Sequence, residues 1–294
     1  MTFLGANAAF GLLAAALWGG GDFAGSIAVR RAGSTVRGAL LVVLIGHLLS
    51  LAVVATLATL QGTPFPTGAI LWWGIGGGVI ASVSLVAFYI ALSTGHMGSA
   101  AAVSGLLCAI VPAIVSAFLD GAPGLPRLLG FLLAGTAIWM IASSNDPTHS
   151  ASRQAMVLSV LGGLGFGIYF VALKFAGQSG VLWGMASARI GSSASALVIS
   201  LLLLLFGFRE KGRPDPRHTK TLLYILGGSL LDTGGNLSYL AATRAGRLDV
   251  AAVLASIYPA GTILLAAWLL HEKTSRRQRL GMLLALPAVA LVTL

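Results

Sequence analysis

Long apolar stretches follow one another through almost the whole chain, and only short polar connections separate them. A helix needs about 20 apolar residues to cross roughly 30 Å of hydrocarbon, and backbone that faces lipid must be helical unless it closes into a barrel. Barrel strands alternate apolar and polar residues, whereas the run from Leu197 to Phe206 is apolar on every side. The sequence therefore predicts an all-α polytopic membrane protein.

Composition and charge exclude the main alternatives. The 294 residues are 57% hydrophobic and 9% charged, whereas soluble domains usually carry about 25% charged residues. The net charge of +10 does not indicate nucleic-acid binding, because the basic residues lie in short connections beside apolar runs, as orientation signals do. The single cysteine, Cys108, excludes an internal disulfide and is expected to be a buried structural thiol.

Prolines, glycines and charge clusters divide the sequence into ten predicted membrane spans. The first apolar stretch is interpreted as a span and not as a signal peptide, because no lysine or arginine precedes it. The connections leave no room for a soluble domain, so we expect any function to lie inside the membrane. The predicted spans are residues 6–28, 36–60, 68–92, 98–119, 126–143, 155–176, 182–207, 219–242, 248–270 and 276–294.

The chain repeats itself after a shift of 151 residues. Pairs that this shift superimposes include Trp18 and Tyr169, Phe88 and Tyr239, and Gly76 and Gly227. The matches predict two five-helix repeats, residues 1–147 and 148–294, within one integrated membrane domain. Because five is odd, the second repeat crosses the membrane in the opposite direction. Inverted repeats of this kind let a transporter alternate between two open states.

Lysine and arginine are concentrated in the connections that follow spans 1, 5, 7 and 9. The opposite side carries only Arg127, Lys174, Arg244 and Arg247. The positive-inside rule then predicts a multi-pass protein of the cytoplasmic (inner) membrane with both termini outside.

Three passages carry a resemblance to a known family. They are GLLAAALWGGGDFAGSIAVRRAG (Gly11 to Gly33), YIALSTGHMGSAAAVSGLLCAIVPAIVSAFLDG (Tyr89 to Gly121) and YLAATRAGRLDVAAVLASIYPAGTILLAAWLLHEKTSRRQRLGMLLALPAVALV (Tyr239 to Val292). With these passages the chain resembles the EamA-like branch of the drug/metabolite transporter superfamily. The resemblance implies ten helices in two inverted halves, a central cavity near the bilayer midplane, and usually export of amino acids, amphiphiles or other metabolites.

The two halves depart from each other within this pattern. The second half has a Glu-containing turn at Glu272, whereas the first half has Leu119, Asp120 and Gly121. Pro112 lies one helical turn beyond the position that matches Pro259. We therefore do not expect the two halves to be interchangeable.

Charged residues deep in apolar spans are the first candidates for function, because each costs at least about 2.5 kcal/mol to insert. They are Asp22, Lys174, Arg189 and Asp232. Asp22 and Lys174 are expected either to approach each other across the repeat axis or to lie near the interface, with Lys174 extending to water. Asp232 either forms part of a polar binding wall with Asn236 or fastens helices through an ion pair with Arg189. Asp232 or Asp22 is our candidate for the carboxylate that couples transport to protons.

Aromatic residues provide the second set of candidates, because a cavity that binds amphiphilic or cationic solutes needs apolar and cation–π surfaces. Pro259 is expected to free a backbone carbonyl in the middle of a span, or simply to kink the helix. His47 is a possible proton relay, although a structural histidine is the more common case. The aromatic candidates are Trp18, Tyr89, Tyr169, Tyr239 and Tyr258.

These observations favour a secondary transporter of a small metabolite, such as an amino acid, an amine or a related amphiphile, with proton-coupled export by alternating access. A facilitative exchanger or uptake carrier is the alternative. An intramembrane enzyme is disfavoured because no nucleophile elbow, aspartate pair or metal motif is present, and a channel is disfavoured because no filter sequence is. We expect no cofactor and no metal, a lipid bilayer and possibly protons as partners, and a monomer or a homodimer.

Overall fold

The computed structural model describes residues 3–94, 97–142, 153–206, 219–269 and 275–293. Within these residues every regular element is helical, which confirms the all-α prediction. A 3-10 turn at Gly177–Ser179 joins two of the helices. The α-helices are α1 (Phe3–Arg31), α2 (Val36–Leu60), α3 (Gly68–Thr94), α4 (Met97–Leu119), α5 (Leu125–Ala142), α6 (Arg153–Ala176), α7 (Val181–Leu205), α8 (Thr219–Ala245), α9 (Leu248–Ala255), α10 (Tyr258–Leu269) and α11 (Arg276–Thr293).

The predicted spans coincide with these helices apart from small differences at their ends, and the predicted ends at 143, 207, 270 and 294 lie outside the described residues. The ninth predicted span is confirmed as one membrane-spanning segment, Leu248–Leu269, but it consists of two helices, α9 and α10, that are separated at Ser256 and Ile257. Pro259 has no N–H to donate to the Ala255 carbonyl, so the helix cannot continue through this point with its full ladder. Pro259 instead lies in the first turn of α10, where proline is tolerated.

The outer surface of the helix bundle is apolar. Phe118, Leu205 and Leu60 are 86%, 80% and 78% exposed, whereas Ser116 and Thr262 are fully buried and hydrogen-bonded. This distribution is the one that a lipid solvent requires, since polar groups must find partners inside the protein. It is the reverse of the distribution in a soluble bundle.

Six helical segments are long and apolar enough to cross a membrane: Gly5–Arg31, Val36–Leu60, Gly68–Ser93, Arg153–Ser179, Val181–Leu205 and Leu248–Leu269. Two shorter apolar segments are Val103–Leu119 and Leu125–Met140. The remaining helices α8 and α11 both carry charged residues, including Asp232 in α8 and Arg276 in α11. The chain is a multi-pass membrane protein.

The helices pack in corresponding pairs. Helix α1 lies along α8 as α6 lies along α3, and α9 and α10 pack on α1 as α4 packs on α6. Helices α2 and α7 contact each other, and so do α5 and α11. One correspondence fails: α3 packs extensively on α7, whereas α8 has much less contact with α2.

Glycines allow the close approach of α3 and α7. A Cβ atom on Gly78 would lie 1.9 Å from the Ala188 carbonyl oxygen, and one on Gly191 would lie 2.0 Å from the Ile75 carbonyl oxygen. Backbones can meet at this distance only where side chains are absent. Between α2 and α8, in contrast, a Cβ on Gly46 would meet Ser229 Cβ at 3.4 Å, an ordinary contact.

We name the two ends of the bundle by residues that lie there. At the Arg31 end, α1 ends and α8 begins, and the Arg31 guanidinium lies 5.6 Å from the centre of the Tyr224 ring. At the Lys174 end, α4 and α6 end and α9 begins. Asn7 at the start of α1 donates a hydrogen bond of 2.7 Å to the Ala242 carbonyl of α8 at this end.

Candidate functional site

A cavity of about 480 Å³ lies where α1, α2, α3, α4, α6, α7, α8 and α10 meet. Many of its lining residues lie three or four positions apart on their helices, so each helix presents one face to the cavity. The lining residues are Trp18, Asp22, His47, Ala81, Leu85, Cys108, Phe166, Tyr169, Phe170, Arg189, Asp232, Asn236 and Tyr258.

One wall of the cavity is a polar chain that joins α2, α6, α7 and α8. Arg189 forms an ion pair with Asp232 and donates from Nε to Ser50 Oγ at 2.9 Å. Asn236 lies one turn after Asp232, donates to its Oδ1 at 3.0 Å, and accepts a hydrogen bond of 2.8 Å from the Tyr169 hydroxyl. The sequence predicts that Asp232 either lies on a polar wall with Asn236 or joins two helices through an ion pair with Arg189. In the structure Asp232 lies on the cavity wall and also forms the ion pair.

Asp22 lies on the wall contributed by α1. Its side chain is 9% exposed and lines the cavity, and it forms no hydrogen bond or ion pair among the residues that the structure describes. Trp18, one turn earlier on the same face, also lines the cavity. Asp22 is therefore a buried carboxylate that is free to meet a solute, whereas Asp232 is already paired.

His47 of α2 is 4% exposed and lines the same cavity. Neither of its ring nitrogens has a hydrogen-bond partner within the described part of the chain. A buried polar side chain usually has such a partner. Its imidazole is thus available to a proton or to a solute, as the relay interpretation of the sequence requires.

Stacked aromatic rings close the cavity toward the Lys174 end. The Trp18 and Phe170 rings stack with centroids 5.0 Å apart, and the Phe170 and Tyr239 rings stack at 4.4 Å. Tyr239 is fully buried behind them and does not line the cavity. Of the predicted aromatic candidates, Tyr239 therefore supports the wall and Trp18 and Tyr169 form it.

The break between α9 and α10 lies directly beside the cavity. Tyr258 lines the cavity and donates from its hydroxyl to the Ala101 carbonyl at 3.3 Å. A Cβ on Gly105 of α4 would come within 3.0 Å of both the Ser256 carbonyl oxygen and Pro259 Cγ. The side that Pro259 presents to α4 is therefore tightly packed, and the neighbouring Tyr258 is the residue that reaches the cavity.

A second cavity of about 300 Å³ adjoins the first, and both are lined by His47, Leu85 and Asp232. It lies between α2 and α8 and continues toward the Arg31 end as far as Tyr224. Tyr89, a predicted candidate, lines this cavity and not the main one. Helices α2 and α8 meet beside it, since Ser229 Oγ donates to the Gly46 carbonyl at 2.6 Å and Thr233 Oγ1 lies 2.7 Å from Ser50 Oγ. The second cavity therefore extends the space around the central cavity toward the Arg31 end.

Lys174 lies away from the cavity, so the suggested approach to Asp22 is not found. Its ammonium group instead contacts Asp120 Oδ1 at 3.1 Å at the Lys174 end of the bundle. Asp120 also accepts a hydrogen bond of 2.6 Å from Ser116, and its backbone carbonyl accepts one of 2.7 Å from Arg247. We call these four residues the Lys174-end network; it ties α4, α6 and the start of α9 together.

The charge of Asp120 is maintained by this network. Partial burial alone would raise the pKa of its carboxyl group, but hydrogen bonds from Ser116, Lys174 and the Leu248 N–H, together with the Lys174 charge, hold the pKa below its ordinary value. The ion pair with Lys174 therefore remains formed throughout the neutral range.

Several lining residues were not singled out from the sequence, namely Ala81, Leu85, Phe166 and Phe170, and Cys108 was expected to be purely structural. Cys108 Sγ lies 3.1 Å from Ser256 Oγ, so it has a structural contact as well as a place on the wall. The internal repeat of the sequence could have identified Ala81 and Leu85. The 151-residue shift relates Ala81 to Asp232 and Leu85 to Asn236, and all four residues line the cavity.

Within the described residues, no group of three or more His, Cys, Asp or Glu side chains is arranged to hold a metal ion. The lining instead combines two carboxylates, one guanidinium, one imidazole and five aromatic rings. Such a lining suits reversible binding of a small organic solute.

Comparison with known proteins agrees with this geometry. The chain superposes with a TM-score of 0.72 on a protein of known crystal structure, at 16% sequence identity, covering 97% of this chain and 95% of the other. At that identity the likeness concerns the fold alone. No curated protein sequence matches the chain. Residues 153–294 match the model of the EamA-like transporter family. Residues 153–294 thus form an EamA-like transporter domain, which supports membership of the chain in the drug/metabolite transporter superfamily.

Proposed function

We propose that this transporter exports a small metabolite across the cytoplasmic membrane by alternating access, and that protons drive the export. The observation that carries the proposal is Asp22, a carboxylate on the cavity wall with no partner among the described residues. A charged group that costs several kcal/mol to bury is retained inside a membrane mainly where it serves the transported ion or solute.

The paired helix contacts support the two inverted repeats, residues 1–147 and 148–294, an arrangement on which many alternating-access transporters are built. In such an arrangement, one conformation opens a pair of helices at one face of the membrane while it closes the corresponding pair at the other face. Helices α3 and α7, which pack closely, and helices α2 and α8, which have less contact and a cavity between them, are corresponding pairs of this kind. On this proposal, the described conformation is open toward the Arg31 end and closed toward the Lys174 end.

The direction of opening follows from charge. The Arg31 end receives the connections that are rich in lysine and arginine, which we propose to be cytoplasmic under the positive-inside rule. The cavity is then accessible from the cytoplasm in this conformation. An exporter loads its substrate in this state.

The proton site is proposed to be Asp22, with His47, which lines both cavities, as a relay. Asp232 is the weaker of the two carboxylate candidates, since its charge is neutralised by Arg189 and its oxygen is bonded by Asn236. A carboxylate that binds a proton in one state and releases it in another must not be held permanently by a cation.

The test uses the purified chain in liposomes, with a pH gradient imposed across the bilayer. A panel of labelled amino acids, quaternary amines and nucleosides is offered, and empty liposomes are the control. We expect at least one compound to accumulate against its own gradient when the pH gradient drives it, and a protonophore to abolish this accumulation. Absence of flux for every compound would contradict transport of these classes, and flux without any dependence on the pH gradient would favour the facilitative exchanger.

A further inference from the structure

We infer that the central cavity selects a monovalent organic cation with an apolar, preferably aromatic, body, and that the cationic group of the solute binds between Asp22 and Trp18. This inference rests on the proposed transport function and names the substrate class of the same cavity.

The charge balance of the lining is the first step. Arg189 is the only lysine or arginine on the described wall, and its charge is offset by Asp232. Asp22 has no cation beside it, and on the proposed function it is neutralised by the proton that it binds. A solute with one positive charge can replace that proton, whereas a neutral or anionic solute offers Asp22 no counter-charge.

The same balance disfavours a zwitterionic amino acid. Its carboxylate would need a cationic partner, but the charge of Arg189 is already offset by Asp232. Any carboxylate placed elsewhere in the cavity would lie within reach of the fields of Asp22 and Asp232. The repulsion would be strong in this low-dielectric interior.

The shape of the cation site is the second step. Trp18 and Asp22 are four residues apart on one face of α1, so the indole ring and the carboxylate line adjacent parts of the wall. Phe170 stacks on Trp18, and Tyr258 faces the cavity from α10. Aromatic faces attract an organic cation through cation–π interaction and bury its apolar body at the same time.

The test compares four compounds that share a phenyl body and differ in charge: 2-phenylethyltrimethylammonium, phenylalanine, 3-phenylpropionate and 2-phenylethanol. Binding to the purified full chain is measured by calorimetry. The quaternary cation keeps its charge at every pH, so its binding reports on the protein alone. We expect it to bind at least about tenfold more tightly than the other three compounds.

Variants locate the site. Asp22→Asn is expected to weaken binding of the quaternary cation by about tenfold or more and to leave binding of 2-phenylethanol within about twofold. Asp22→Glu keeps the charge and should retain cation binding. Asp215→Asn makes the same carboxylate-to-amide change in the connection between α7 and α8 and is the matched control. If Asp22→Asn does not fold, the four-compound series on the unaltered chain still decides the inference.

Equal or tighter binding of phenylalanine, no binding of the cation, or an unchanged cation affinity in folded Asp22→Asn would overturn the inference. Counterflow of the same compounds into liposomes distinguishes a failure of the substrate-class inference from a failure of the transport proposal. Movement of phenylalanine without movement of the cation would leave transport standing and refute the substrate class. Cation binding with no movement of any compound would refute transport and leave the cation site standing.

Discussion

Arg189 of α7 forms an ion pair with Asp232 of α8 on the wall of the central cavity. The Arg189 side chain is 3% exposed and also donates to Ser50 of α2, so one guanidinium joins three helices. A lysine has no planar fork with which to satisfy both partners.

The first prediction concerns this ion pair. Arg189→Ala leaves the Asp232 carboxylate without its cation and should lower the free energy of unfolding by about 3–5 kcal/mol. Arg189→Lys should lower it by less, because the charge is kept. The double variant with Asp232→Asn should recover part of the loss. Thermal unfolding of the four proteins in one detergent measures this, and equal melting temperatures for Arg189→Ala and the unaltered chain would contradict a structural role for the pair.

The sequence was sufficient to predict the helices and the costly residues within them. The length of an apolar stretch predicts a span almost independently of neighbouring segments. Asp22, Arg189 and Asp232 can be identified because a charged side chain is costly to place in hydrocarbon. The partner of Lys174 could not be predicted, because hydropathy does not say which helix ends are neighbours. Phe170 was missed for a related reason: an apolar residue of a span has the same appearance whether it faces lipid or the cavity.

The second prediction concerns Gly19 of α1, which packs against the start of α10 beside the α9–α10 break. A Cβ on Gly19 would lie 2.9 Å from both the Tyr258 carbonyl oxygen and Gly261 Cα. These are backbone atoms that cannot move aside independently, so Gly19→Ala should cost about 1–3 kcal/mol of stability. Gly76→Ala is the matched control, since nothing lies within 4 Å of its added Cβ. The prediction fails if the two alanine variants unfold at the same temperature.

The third prediction concerns pH and the Lys174-end network. Because the pKa of Asp120 is lower in the folded chain, its ionised form stabilises the fold above the unfolded pKa of about 3.9, and this contribution is lost as pH falls through the lower folded pKa. The network is partly exposed, so the effect should be about 1 kcal/mol or less. Asp120→Asn should therefore melt earlier than the unaltered chain by a constant margin between about pH 5 and pH 8, and the margin should shrink as the pH falls below about 3.9. A margin that grew on acidification would refute this account.

The fourth prediction concerns the contact between α2 and α8, where Ser229 Oγ donates to the Gly46 carbonyl at 2.6 Å. In a Cys108→Ala background, cysteines at Gly46 and Ser229 have Cβ atoms about 3.4 Å apart, close to the disulfide range of about 3.5–4.5 Å. Mild oxidation should cross-link them and reduce flux, since α2 and α8 would no longer be able to rearrange, and a reductant should restore flux. Each single-cysteine variant is the control. A cross-linked protein with full flux would show that these helices do not rearrange during transport.

The central claim is that solute movement is coupled to protons at Asp22. It is tested most directly by pH-gradient-driven accumulation of the transported compound in liposomes that contain the unaltered chain, Asp22→Asn, Asp22→Glu or Asp215→Asn. Asp22→Asn cannot bind and release a proton at this position, so accumulation should fall to that of empty liposomes. Asp22→Glu should retain accumulation with a changed pH dependence, and Asp215→Asn should match the unaltered chain. Accumulation at the unaltered level in folded Asp22→Asn would contradict the account.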